Sequence, residues 1–327
     1  MCALLKLSLK RGALVTAANW QVVIVQFVAD TLFKTLVVVP VLGGLVLVAL
    51  VAGGNPVDLI RFDDLTQTIS AMVGVLLAHP IALAAFLAAL GVILAGGSVL
   101  MFAVKAGSVT VLLAGDRAAG AVEEPPLRMS ALRQANQAGF ERFIGGVRHL
   151  FPRYLRLGIA LTIVYALIAG AYMAFLFGPP ISDIFEGPIA TTVASLIVIV
   201  VITLVNFLYL LTQIVIAAED CSVLDAIPHV ARLIRRRTKA LALVLISILS
   251  LMLMATGASI LATTALGLIA FVPFVGLAAL PLQVFAWLLR GVVFQFVGLT
   301  GVATYLRLHY ALQPSSVRVP EGLLTRT

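Results

Sequence analysis

The chain has 327 residues, 62% of them hydrophobic and 11% charged, with a formal net charge of +8. A water-soluble fold of this length does not tolerate so large an apolar fraction, so composition excludes a soluble globular protein and points to an integral membrane protein. The basic excess requires no nucleic acid, because basic residues beside an anionic leaflet account for it.

The first basic residues are Lys6, Lys10 and Arg11, on an amphipathic helix predicted over 4–33 that leads into an apolar stretch at 35–53, with Pro40 near its start. Cys2 directly follows Met1, and no small-residue cleavage site follows, so neither a lipoprotein signal nor a removable signal peptide is expected. Asp30 and Lys34 lie four apart with the acid first, the favourable helical order. Mutual neutralisation is the expected role, and as charges close to the membrane they are also candidates for proton or ion transfer. Residues 54–79 read as an outer amphipathic helix with Phe62, Leu65, Ile69, Met72 and Leu76 toward lipid.

The second apolar stretch, 81–104, carries a run of small residues from Ala84 to Gly97 that marks a face for close helix packing. Lys105 follows it directly, within snorkelling reach of lipid phosphates. A second basic helix is predicted over 127–151, ending at Pro152. Its apolar positions Leu132, Phe140, Phe143, Val147 and Leu150 repeat at helical spacing, with Arg133, Arg142 and Arg148 on the other face. The next two stretches, 157–178 and 189–217, are joined by a short Gly- and Pro-rich connection.

A third basic helix opens at Ser222-Val-Leu-Asp225, which reads as a capping box with an acidic partner. Ile227, Val230 and Ile234 form its stripe, opposed by Arg232, Arg235 and Arg236, with Arg237 and Lys239 following. The fifth stretch is 240–264. The apolar run 263–282 contains Pro273 and Pro281 and is either a re-entrant or interfacial segment or a turn at Pro273. The sixth stretch, 283–306, includes Arg290. That residue either snorkels at the outer boundary or is buried against a lipid phosphate, a cofactor or another subunit.

Each stretch approaches or exceeds the ~20 apolar residues that cross a ~30 Å hydrocarbon core. All of the 22 Lys and Arg except Lys34, Arg61, Lys105 and Arg290 fall in the segments that would share one side. The positive-inside rule then puts both termini in the cytoplasm with six crossings, in a bacterial cytoplasmic (inner) membrane. Both cysteines, Cys2 and Cys221, fall on that reducing side, so no disulfide is expected. The expected fold is an all-α polytopic bundle of about six transmembrane helices with interfacial amphipathic cytoplasmic helices. It forms one membrane domain, 1–327, built of three amphipathic-helix-plus-hairpin units, 1–116, 117–220 and 221–327. Two return crossings end alike, at Asp116 and at Glu219-Asp220, whereas the third ends at Arg307-Leu-His-Tyr310.

The segment from Ala217 through Glu219-Asp-Cys-Ser-Val-Leu-Asp-Ala-Ile-Pro-His to Arg237 resembles an element of uncharacterised bacterial six-crossing proteins. These are similar to the membrane domain fused to some glycerophosphoryl diester phosphodiesterases. The resemblance implies fold and membrane placement. It implies no phosphodiesterase activity, because no catalytic domain of that kind is present.

The four histidines, His79, His149, His229 and His309, have no ligand-like spacing and read as boundary anchors. No nucleophile-elbow, metalloprotease, phosphate-loop or dinucleotide motif occurs, so no catalytic, cofactor or metal residue is assigned and an enzyme is not expected. Arg133, Arg142, Arg148, Arg235, Arg236 and Arg237 are the candidates for binding anionic lipid. The expected function is a non-catalytic membrane protein that binds lipid and protein partners, as an accessory or scaffold subunit of a larger complex. The rival is a transporter or lipid-handling protein using Arg290 and the polar in-membrane residues Asn206, Gln213, Gln283 and Gln295.

Overall fold

A computed structural model describes residues 2–51, 78–120, 122–123, 129–177, 188–270 and 275–311. Among them are eight helices and no strand: α1 (Cys2–Ala18), α2 (Trp20–Val51), α3 (Pro80–Ala118), α4 (Met129–Ala135), α5 (Phe140–Phe177), α6 (Pro188–Glu219), α7 (Val223–Ala270) and α8 (Val275–Ala311). The predicted outer helix at 54–79 and the turn at Pro273 lie almost wholly outside the described residues.

Six of these helices contain a segment long and apolar enough to cross a membrane: Trp20–Gly44, Pro80–Ala118, Phe140–Phe175, Ala190–Glu219, Val223–Leu268 and Pro281–Tyr310. Their outward faces stay apolar, with Leu261 73% and Met254 72% exposed. Such faces are stable in hydrocarbon and not in water. The chain is therefore a multi-pass helical membrane protein. At 1.5 Å per residue the 39-residue α3 is about 58 Å long, well beyond a hydrocarbon core of about 30 Å.

Two other helices are long because a basic segment has merged with a crossing. α7 runs from its basic segment straight into the apolar one, and α5 does so from Phe140, whereas the predicted helix 127–151 is broken at 136–139 and its first part is the separate α4. Pro152, predicted to end its helix, lies inside α5. A proline inside a helix costs about 3 kcal/mol. Here Leu150, Tyr154 and Leu157 are buried around it, and burying such side chains offsets that cost. In α7 the junction is marked by Arg237, whose φ of −139° and ψ of 27° kink the helix before the crossing. At the start of the chain the predicted helix 4–33 is broken at Asn19 instead.

The chain packs as two compact units, Val25–Val104 and the remainder, Met1–Ile24 with Lys105–Thr327. Within the first unit, Gly97 faces the ring of Phe33, where a Cβ would come within 2.0 Å of a ring carbon. Part of the small-residue face is thus a close contact, while Gly91 and Gly96 of the same run meet nothing within 4 Å.

Within the second unit, α8 packs on α1 and α7, α5 on α6, and α6 on both α7 and α8. Its buried residues fall in the last turns of α3 (Val111, Leu112), α6 (Leu211, Ile214) and α8 (Ala303, Leu306), and in the first half of α5 (Leu150, Tyr154) and α7 (Val230, Leu241). The core therefore sits at one end of this unit, the end that carries the basic segments. Asn19, fully buried at the α1–α2 break, fastens α4 to it: its Nδ2 donates to the carbonyls of Val15 and Ala135, each at 2.9 Å, and its Oδ1 accepts from the Gln137 amide at 2.8 Å.

Candidate functional site

The three helices that return to the basic end bring their terminal charges there. α3 ends in Asp116 and Arg117, α6 in Glu219 followed by Asp220, and α8 in Arg307, His309 and Tyr310. The helices that leave from that end supply the partners: Lys10 and Arg11 on α1, His149 and Arg153 on α5, and His229 on α7.

Arg11 is the centre of one cluster and only 4% exposed. Its Nε donates to Asp116 Oδ1 at 2.5 Å, one terminal nitrogen to the Asp116 carbonyl at 2.6 Å, and the other to Glu123 Oε2 at 2.7 Å and to the Gly120 carbonyl. A buried guanidinium is tolerated when its donors are met and its charge is opposed, and both hold here. Glu123 in turn faces Arg307 at 3.7 Å, and its carbonyl accepts from Lys10 Nζ at 2.8 Å. Burial opposes the charge on Arg11, but the hydrogen bonds and charges of Asp116 and Glu123 outweigh it and raise its pKa. Burial likewise works against ionised Glu123. The hydrogen bond from its own backbone, Arg11 and Arg307 prevail and hold it below the usual carboxylate range.

The second cluster is built on two adjacent acids. Glu219 meets His309 Nε2 at 3.2 Å and His229 Nδ1, so it joins α8 and α7 to the end of α6. Asp220 turns the other way, meeting His149 Nε2 at 2.7 Å and the Arg153 guanidinium, both from α5. Its backbone sits at φ 51°, a left-handed conformation that aspartate accepts more readily than most residues. Burial pushes the Asp220 carboxyl up, but Arg153 and His149 overcome this and lower its pKa. Burial and the Glu219 charge push the Cys221 thiol up.

Tyr310 joins the two clusters. Its hydroxyl accepts from Arg117 at 2.8 Å and donates to the Ala218 carbonyl at 3.2 Å, with the Arg117 guanidinium 5.5 Å from its ring centre. The cap predicted at Ser222 is present: the Asp225 amide donates to Ser222 Oγ at 3.3 Å, and that hydroxyl donates to Asp225 Oδ2 at 2.6 Å. The network ties together the ends of α1, α3, α5, α6, α7 and α8.

The predicted site residues separate into groups. Arg133, Arg142, Arg148, Arg235, Arg236 and Arg237 are all exposed. Arg142 donates to the Gln137 carbonyl at 3.0 Å and to its side-chain oxygen. None of the six has a carboxylate partner among the described residues. Arg290 is also exposed, its guanidinium 5.5 Å from the Phe294 ring centre on the same helix. Asp30 and Lys34 pair with each other at 2.6 Å. Lys105 lies over the Tyr209 ring at 5.3 Å from its centre.

The acid–base network itself was missed as a site, although every member is visible in the sequence. The available signal was the unequal ending of the three return helices: two end in acids, and the third substitutes Arg307 and His309, which oppose them. Among the described residues, no group of three or more His, Cys, Asp or Glu side chains is placed to hold a metal ion. Comparison with protein-family models, curated proteins and solved structures finds no match to this chain.

Proposed function

We propose that this chain is a non-catalytic membrane protein whose basic end holds anionic lipid and protein partners, as an accessory or scaffold subunit of a larger membrane assembly. The observation that carries this reading is a division among the arginines. Arg11, Arg153 and Arg307 are neutralised by Asp116, Glu123 and Asp220, and so serve the fold. The six exposed arginines have no acid opposing them among the described residues and are left for an external anion. Each Lys or Arg near an anionic leaflet contributes about 1 kcal/mol to its attraction. The basic end accordingly faces the cytoplasm of a bacterial inner membrane, and the likeness to six-crossing membrane domains belongs to the same proposal.

Lipid carried through purification tests it. Replacing Arg235, Arg236 and Arg237 together with Gln is expected to reduce the phosphatidylglycerol and cardiolipin that co-purify in mild detergent. Unchanged lipid content would show that these arginines serve only to orient the chain.

A further inference from the structure

We propose that Lys105, Tyr209 and Gln213 form a discrete site for the anionic head group of one membrane lipid. Tyr209 and Gln213 stand four apart on α6 and therefore share a face of the helix. They are 8% and 3% exposed, yet the Tyr209 hydroxyl and Gln213 Nε2 have no hydrogen-bond partner among the described residues. A buried polar group left unmet costs about 1–3 kcal/mol, so two on one face call for an occupant. The neighbouring Tyr154 hydroxyl donates to the Gln213 carbonyl at 3.0 Å and bonds neither of the two unmet groups.

The donor inventory selects the chemistry. A lysine ammonium and an amide nitrogen only donate, and a tyrosine hydroxyl beside them donates as well. Three donors, one of them cationic, fit the oxygens of a phosphate or carboxylate. Depth selects the lipid. Lys105 precedes Asp116, and Tyr209 precedes Asp220, by eleven positions, about 16 Å of helix in from the acidic ends. Lys105 also directly follows the apolar stretch of α3, and Tyr154 lies just before that of α5. The donors thus lie just past the apolar stretch of α3 and within the last turns of that of α6, near the level of lipid phosphates. Farther along the same two helices the polar pairs satisfy each other: the Tyr165 hydroxyl donates to Asn206 Oδ1 at 2.6 Å, and Tyr172 and Ser195 share a hydrogen bond at 2.7 Å. Among the described residues, the buried unmet donors of α6 are therefore confined to this level instead of forming a track through the membrane.

The inference rests on the lipid reading above only for the presence of anionic lipid, since its residues are distinct from the exposed arginines. The test uses the full chain, washed in detergent, incubated with phosphatidylglycerol or phosphatidylcholine, and weighed by native mass spectrometry. The unaltered protein is expected to retain one phosphatidylglycerol per chain and no comparable phosphatidylcholine. Lys105→Gln and Tyr209→Phe are each expected to lower that retention about tenfold, as loss of one charge-assisted contact implies. Tyr209→Phe removes only an oxygen, so a circular-dichroism melt matching the parent shows that the fold is intact. Arg235→Gln, Arg236→Gln and Arg237→Gln together are expected to lower total lipid and spare this one molecule. Failure of that triple variant to lower total lipid overturns the arginine reading alone. Retention equal to the parent in folded Lys105→Gln and Tyr209→Phe overturns the site alone. Inorganic phosphate at millimolar concentration is expected to leave the lipid in place; displacement would overturn the lipid as ligand in favour of a free anion on the same donors.

Discussion

Arg11 shows how much a single residue holds in this chain. It is an ordinary topogenic cation by sequence, yet its guanidinium contacts two acids and two carbonyls. Arg11→Leu would leave Asp116 buried without its cation and Glu123 with only the more distant Arg307. Removing one member of a buried ion cluster costs about 3–5 kcal/mol, and a clear fall in the thermal midpoint in detergent is the expected result. Arg133→Leu, on an exposed side chain, should shift that midpoint by less than about 0.5 kcal/mol equivalent. The acids add a pH dependence. Glu123 and Asp220 are both held below their ordinary pKa values, 4.5 and 3.8. Their contribution is present in full above those values and is lost as pH falls through the lower, folded ones. Melting temperature should therefore hold across neutral pH and drop below about pH 4. At this scale the sequence disclosed local pairs only. Asp30 and Lys34 were legible because helical spacing alone brings them together, whereas Arg11 and Asp116, 105 positions apart, meet only through the fold.

At the scale of elements, apolar stretch length and helical periodicity made the six spans legible, because both are set by the bilayer and by one helix at a time. Their limits were less so. Pro152 reads as a stop when only local backbone cost is weighed, and buried neighbours reverse the outcome. The break at Asn19 has no local stop signal as strong; it follows from three hydrogen bonds that tie this side chain to α1 and the α4 end. The docking of α1 on α8 yields a prediction of its own. At Gly12 a Cβ would lie 2.3 Å from Thr304 Oγ1 and 2.9 Å from the Thr300 carbonyl, and the latter, being backbone, cannot swing away. Gly12→Ala should destabilise by about 1–3 kcal/mol. Gly91→Ala, with nothing within 4 Å, should be neutral or slightly stabilising by the same thermal assay.

Within the larger unit, the helices pack most tightly at the end that carries the charges, and they present apolar surface beyond it. The charge asymmetry of the sequence and the buried network of the fold thus describe one end of the protein from two sides. That end is proposed to face the cytoplasm, against the anionic leaflet, and site-directed labelling tests this most directly. With Cys2 and Cys221 replaced by Ser, single cysteines at positions 133 and 236 should react with an impermeant maleimide only after cells are opened. Cysteines at positions 63 and 183 should react in intact cells. Labelling of positions 133 and 236 from outside intact cells would contradict the account.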